Sequence, residues 1–435
     1  MPNAEKIDDL KRFYRACNPA ATLDYSNPDD RRYYIDFSEV RSGNLIRELK
    51  RTISLSDDPT CQLFSGHIGC GKSTELLRLK AELEAEGYHV VYLVSSEDLD
   101  MGDVDITDIL FAIIRKISES LSAVGIRLQP SYFDKLFDDI KALLKTEIDL
   151  SGLEFSAKFA KITLKARDNP DVRRLLRDRL ESRTDNIIGA INDEVLKPAV
   201  DGLKKTGKAG LVVLVDNMDR IHNVAKTTLH TQPEYIFFDR GEQLKALKCH
   251  LVYTIPLSLI FANDANVLTN RFGVRPKVLS MVPIQRRNGS PHEKGLELLK
   301  QMVMARAFPD LSPSERMNEV GAVFERETMM GRLCEISGGH VRNLLGFLFS
   351  CLQKADPPFP SEVLEEVIRE ARDDMYRKIS KDEWQQVRDV VKHQDLAGEE
   401  QHDALLYSMF VFEYQDPDDG MWFDANPLLK DRLGK

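Results

Sequence analysis

The sequence predicts an α/β fold built on a parallel five-stranded sheet, and three observations carry that expectation. Five short, nearly continuous apolar runs, "TCQLFS", "YHVVYLVSS", "LVVLVD", "CHLVYTIP" and "KVLSMVPI", are spread over residues 60–284. Helical stretches separate them, and apolar strands joined by helical crossovers are what a parallel sheet covered on both faces requires. The first run leads directly into "GHIGCGKS", residues 66–73, a glycine-rich string that opens a helix.

Composition sets the outer bounds. A chain of 435 residues with 42% hydrophobic and 30% charged side chains is long enough for two to four globular domains. A net charge of −10 argues against a generally sticky nucleic-acid binder, since phosphate neutralisation needs a basic face. The six cysteines, at 17, 61, 70, 249, 334 and 351, form no C-x-x-C pair, so reduced thiols are expected rather than a zinc site or a disulfide framework. The opening residues lack an apolar signal core and no run reaches the ~20 residues of a membrane helix, so a cytoplasmic protein with no membrane partner is expected.

The elements follow in order. Residues 1–42 read as a lead-in: a short amphipathic helix, the loop "NPAATLDYSNPDD" and the aromatic strip "RRYYIDF". "LIRELKRTI" places apolar residues at i, i+4 and i+8, which predicts an amphipathic helix. "KSTELLRLKAELEAEG" predicts a helix closed by Gly87. Between the second and third strands lies an unusually long gap, with an insertion over about 128–205. It contains the helix "ITDILFAIIRKISESLSAV", a helical stretch near 132–146, and "EIDLSGLEFSAKFAKITLKAR". In that last segment Ile148, Leu150, Leu153, Phe155, Ala157, Phe159, Ile162 and Leu164 alternate with polar residues, which predicts a β-hairpin. A long helix with an arginine-rich face follows over 171–200, read as a solvated surface or, alternatively, a nucleic-acid face.

These signals divide the chain into the lead-in, a core over 43–290, a helical lid over 291–378 and a small domain over 379–435. The last has two helices and then two alternating runs around "DPDDG", a pattern that predicts a β-hairpin and suggests a winged helix.

The chemistry concentrates at the string that matches G-x-x-x-x-G-K-[ST]. Gly66, His67, Ile68, Gly69, Cys70, Gly71, Lys72, Ser73 and Thr74 would cradle a phosphate chain with backbone N–H groups and a helix N-terminus. Lys72 would reach the β and γ phosphates and Ser73 would ligate Mg²⁺. Cys70, beside a positive helix end, either has a depressed pKa or simply fills a variable position. "LVVLVDNMDR" ends a buried strand in Asp216, where such a core puts its second Mg²⁺ contact. An N-K-x-D base-reading motif is absent, which excludes a GTPase, and "ISGGH" lies on the wrong side of Asp216 for an ABC-type signature.

The order of these motifs resembles the AAA+ superfamily, in its origin-recognition and STAND-like branch. The resemblance implies an ATPase with ATP and Mg²⁺ as cofactors. It makes Thr254, at the end of "CHLVYTIP", the sensor 1 position, and Arg342, in "SGGHVRNLLGFL", the sensor 2 position of the lid. It also makes Arg271, in "TNRFGVRP", the candidate finger acting on a neighbour's nucleotide, with Arg275 competing for the role and a structural ion pair as the alternative. The family usually carries a glutamate after the strand-ending aspartate. Here Asn217 stands there, and an asparagine cannot accept a proton, so general-base help comes from Asp219 or from nowhere. Slow hydrolysis and a nucleotide-set conformational or assembly switch are therefore expected, working on ATP and ADP with a homo-oligomer or a protein effector as partner. The alternative is a DNA-binding ATPase using the C-terminal domain, against which the acids of "QDPDDG" weigh.

Overall fold

A computed structural model describes residues 9–433 except 42, 129, 145–149, 151–152, 263 and 397–401. The five apolar runs form one parallel sheet: β1 Cys61–Gly66, β2 His89–Val94, β3 Leu211–Asp216, β4 His250–Thr254 and β5 Lys277–Leu279, in the spatial order β2-β3-β4-β1-β5. β1 lies between β4 and the edge strand β5, so the loop that leaves its C-terminal end is flanked by a strand on each side. Register pairs Val94 with Asp216, which brings the end of β2 beside the end of β3. The fifth run contributes only three residues to the ladder; beyond it Met281 bridges to Tyr414 in the C-terminal region.

Both faces of the sheet are covered. Against one pack the predicted helices α1 Leu45–Ser54 and α2 Lys72–Ala85, with Leu49, Ile53, Leu76 and Leu79 wholly buried. Against the other lies α3 Ile106–Ala123, whose buried residues run all around it, as expected of a helix sandwiched between a sheet and a second helical layer. That layer includes α4 Ser131–Leu143 and α5 Phe155–Asp168.

Helix α5 overturns the expected hairpin. Phe159, Ile162 and Ala166 are buried at i, i+3 and i+7, and Phe159 contacts Phe111, Phe133 and Phe137. The residues satisfy both periods, and a helix puts the large aromatics on one face against those rings, where a strand would divide them. Asn169, accepting from the N–H groups of Asp171 and Val172, ends this helix and caps the next. Ile148 lies outside the described residues. The arginine-rich stretch is helical from 170 to 205, with a 3₁₀ turn and a π turn within it. Of its arginines, Arg173 pairs with Asp100 and Asp103, and Arg177 with Asp103 and Asp105.

After the sheet come α6 Glu293–Ala307, α7 Glu327–Ser337, α8 Val341–Lys354 and α9 Ser361–Lys378. Their apolar faces share one cluster with Phe13, Cys17, Phe37 and Val40, so the lead-in packs into these helices. The C-terminal residues form the helices α10 Lys381–His393 and α11 His402–Tyr407, then the expected antiparallel hairpin of β6 Val411–Asp416 and β7 Gly420–Ala425. Among the described residues no helix is long and apolar enough to cross a membrane. All six cysteines are buried and unpaired.

Candidate functional site

The loop after β1 is shaped by glycines that a side chain could not replace. Gly66, Gly69 and Gly71 have φ of 147°, 92° and 110°. A Cβ on Gly66 would lie 2.4 Å from the Leu279 carbonyl oxygen, and one on Gly69 would lie 2.7 Å from His340 Nε2. The loop therefore folds tightly against β5 on one side and the start of α8 on the other. Ile68 through Thr74 line a cleft, whereas Gly66 and His67 turn beneath it. Their carbonyls accept from Lys72 Nζ at 2.7 and 2.9 Å, which folds the lysine back over the loop.

Three parts of the chain meet at this cleft. The sheet gives the loop together with Asn217, Asp219 and Arg220; the helices after it give Met302, Arg306, Val341, Arg342 and Leu345; the lead-in gives Pro19, Leu23, Tyr33, Ile35 and Phe37 among others. Contact between loop and α8 is direct. The Arg342 N–H donates to Gly69 O at 3.2 Å, and His340 Nε2 donates to Ile68 O at 2.9 Å. Burial drives the His340 pKa down to about 4, so this imidazole is neutral at physiological pH.

Electrostatically the cleft is cationic. Five cations (Arg41, Lys72, Arg220, Arg306 and Arg342) and two carboxylates (Glu75 and Asp219) line it. Arg41, almost wholly buried, donates to Cys70 O at 3.0 Å and approaches Glu75 at 3.8 Å. Arg306 donates to Tyr33 O at 2.6 Å, and burial drops its pKa to about 10. Asp219 Oδ2 meets Lys72 Nζ at 2.9 Å with both groups buried. Burial works against the lysine's charge, but Asp219, Cys70 and Asp216 together hold its pKa above the ordinary value. Burial raises the Cys70 thiol despite Lys72 and Arg41, so of its two readings the inert filler fits and the oxidisable thiolate does not.

Asp216 sits just behind the cleft. Its Oδ2 accepts from the Tyr92 hydroxyl at 2.5 Å and its Oδ1 from the Asn217 N–H at 2.7 Å. Asn217 has φ 64°, a left-handed conformation that asparagine tolerates better than other side chains, and its Nδ2 donates to Ser96 Oγ at 2.9 Å. Thr254 Oγ1 accepts from the Met218 N–H at 2.9 Å and is wholly buried, so it fixes the turn after β3 from below and does not line the cleft. Arg271 and Arg275 lie outside the cleft lining; Arg271 ends the helix Ala265–Phe272 beside Gly241.

The donor set suits a nucleotide with Mg²⁺. Unpaired cations face the loop, N–H groups of a glycine cradle open α2, and the Ser73 hydroxyl lies on the same wall. A metal held by one serine and, through water, one aspartate needs no larger cluster of protein ligands, and among the described residues there is none. Sequence reasoning missed Tyr92, Arg41, Arg220 and Arg306. Each is an ordinary residue type in an ordinary context, and only the convergence of distant segments singles it out.

The five-stranded parallel sheet, with its glycine-rich loop leaving β1 between β4 and the edge strand β5, defines the class of fold: an α/β core of the P-loop type. No protein-family model and no curated protein matches the sequence. Among solved structures, the chain is similar to a Walker-type ATPase of Pyrococcus abyssi, at 13% identity, TM-score 0.42, over 97% of this chain and 100% of that one. It is also similar to the ORC2 protein of Aeropyrum pernix, in a structure of its ADPNP-ADP complexes, at 13% identity, TM-score 0.39, over 93% and 95% of the two chains. The ORC1 protein of the same organism, in complex with DNA, follows at 12% identity, TM-score 0.36, over 89% and 92%.

Proposed function

We propose that the chain is an ATP-binding, slowly hydrolysing ATPase whose bound nucleotide sets the relation between the sheet core and the helices after it, and so switches a partner protein on or off. One observation carries this reading. The phosphate loop, the start of α8 and the lead-in converge on Lys72, so a ligand in the cleft touches three separate segments at once.

In this reading the N–H groups of Gly69 to Ser73 and the Lys72 ammonium bind the phosphates, and Pro19, Leu23, Ile35, Phe37 and Leu345 offer an apolar slot for the base. Ser73, with Asp216 acting through water, would hold Mg²⁺, which supplies charge neutralisation at the phosphates when bound. Among the described residues Asp219 is the carboxylate that pairs with the lysine, and a carboxylate engaged by an ammonium is a weak base. That supports slow turnover. The DNA-binding alternative gains nothing from Arg173 and Arg177, whose charges are already paired.

Calorimetric titration with ATP and a steady-state phosphate-release assay test the proposal. Binding in the micromolar range or tighter, lost in Lys72→Ala, is expected together with turnover well below the enzyme median of ~10 s⁻¹. Turnover of many per second, or binding indifferent to Lys72→Ala, would refute it.

A further inference from the structure

We infer that Arg220 is a ligand for the terminal phosphate of a nucleoside triphosphate, supplied by the same chain that binds it and acting with Lys72 and Arg342. The inference rests on the nucleotide reading above and adds to it a residue that tells triphosphate from diphosphate.

Three observations lead there. Among the five cations of the cleft, Lys72, Arg41 and Arg306 are engaged by Asp219 or by backbone carbonyls. The guanidinium groups of Arg220 and Arg342 make no hydrogen bond or ion pair among the described residues. Arg220 comes from the turn after β3 and Arg342 from the first turn of α8, so two unpartnered cations enter one cleft from opposite walls. Like charges so placed repel: burial, then Arg220, holds the Arg342 pKa below its usual value. An anion between them would convert that repulsion into two charge-assisted contacts.

The backbone explains how Arg220 gets there. Asn217, at φ 64°, turns the chain sharply at the end of β3, and the next three residues form a single 3₁₀ turn. Asp219 is anchored on Lys72 at 2.9 Å. The Cα of Arg220 is one trans peptide further, about 3.8 Å away. The segment D-N-M-D-R thus delivers an arginine to the place where a P-loop lysine meets the end of a phosphate chain. A left-handed turn residue at 217 is what makes that delivery possible, so the missing glutamate and the added arginine are two aspects of one geometry.

The test is calorimetric binding of a non-hydrolysable ATP analogue and of ADP, each with magnesium, to the full chain. It compares wild type, Arg220→Ala, Arg220→Lys and, as a control outside the cleft, Arg174→Ala. Arg220 is exposed and a melting curve verifies that each variant folds. Arg220→Ala is expected to weaken the triphosphate analogue by about 10- to 100-fold and ADP by less than about twofold, with partial recovery in Arg220→Lys and no change in Arg174→Ala. Equal losses for both nucleotides, or none for either, would overturn the assignment while leaving nucleotide binding intact. A loss seen at high protein concentration and absent on dilution would assign Arg220 to a neighbouring copy and overturn the same-chain claim. A wild-type chain that binds neither nucleotide would overturn the nucleotide reading and this inference together.

Discussion

Asn217 stands where the resemblance calls for a glutamate, and the backbone supplies a reason. At φ 64° a long unbranched acid pays the left-handed penalty of about 1 kcal/mol, which asparagine partly escapes through local hydrogen bonding. Its amide also ties the turn to Ser96. Asn217→Glu is therefore expected to lower stability by about 1 kcal/mol without producing rapid turnover, whereas Asn217→Gly keeps the turn and most of the stability. Thermal melts and phosphate-release rates check both. A glutamate variant that turns over ATP about 100-fold faster would mean that the acid alone was missing. The sequence marks Lys72 and Ser73 as candidates through the spacing of G-x-x-x-x-G-K-[ST], and Asp216 as one through an apolar strand that ends in an acid. It could not reveal that Asp219 pairs with Lys72, or that Tyr92 holds Asp216, since β2 and β3 meet only through the sheet.

At the scale of elements, β3 is readable because it is buried along its whole length and is apolar up to Asp216, and the other strands carry the same signal in shorter form. Helix α5 was not, because a short segment of spaced aromatics fits two periods until its neighbours are known. The C-terminal hairpin was predicted as a hairpin, and the sequence carried no sign of where it docks. Glu413 N–H donates to His67 Nε2 at 2.9 Å beneath the phosphate loop, Tyr414 OH donates to Gly338 O at 2.8 Å, and the Phe412 ring lies 5.8 and 5.9 Å from those of His67 and His340. Docking there leaves both carboxylate oxygens of Glu413 buried without a hydrogen-bond partner, and burial pushes its pKa from 4.5 up to about 8. A folded pKa raised above the unfolded one means that the folded chain retains a proton the unfolded chain has lost. Stability from this group thus falls as pH rises from 4.5 to about 8 and is flat beyond. Glu413→Gln should stabilise the protein at pH 8 by on the order of 2 kcal/mol and leave it nearly unchanged at pH 4.5. Denaturant melts at the two pH values read this out, and an equal or negative effect at pH 8 would contradict the buried, protonated acid.

For the whole molecule, the cleft is bounded by segments far apart in sequence, and the turn 337–340 is the node between them. Gly339 has φ 75°, and a Cβ there would lie 1.7 Å from the Val282 carbonyl oxygen, so this turn is pressed against the end of the sheet. On one side of it α8 reaches the glycine-rich loop; on the other, Phe412 and Tyr414 of the C-terminal hairpin reach Gly338. Under the proposed function, a ligand drawn to Lys72, Arg220 and Arg342 would change the forces on that node, and the hairpin would be the element to respond. At its tip Asp416 is buried and accepts from the N–H groups of Asp418 and Asp419, while Asp418 approaches Arg286 at 3.5 Å and Asp419 accepts from the Arg287 N–H.

Hydrogen exchange of the full chain with ATP analogue, with ADP and without nucleotide, in wild type and in Lys72→Ala, tests the switch most directly. The account predicts that the triphosphate slows exchange at residues 66–74 and at 338–344, and changes it at 411–425, that ADP does less, and that Lys72→Ala abolishes all three responses. Protection confined to residues 66–74, with 338–344 and 411–425 the same in every nucleotide state, would contradict it.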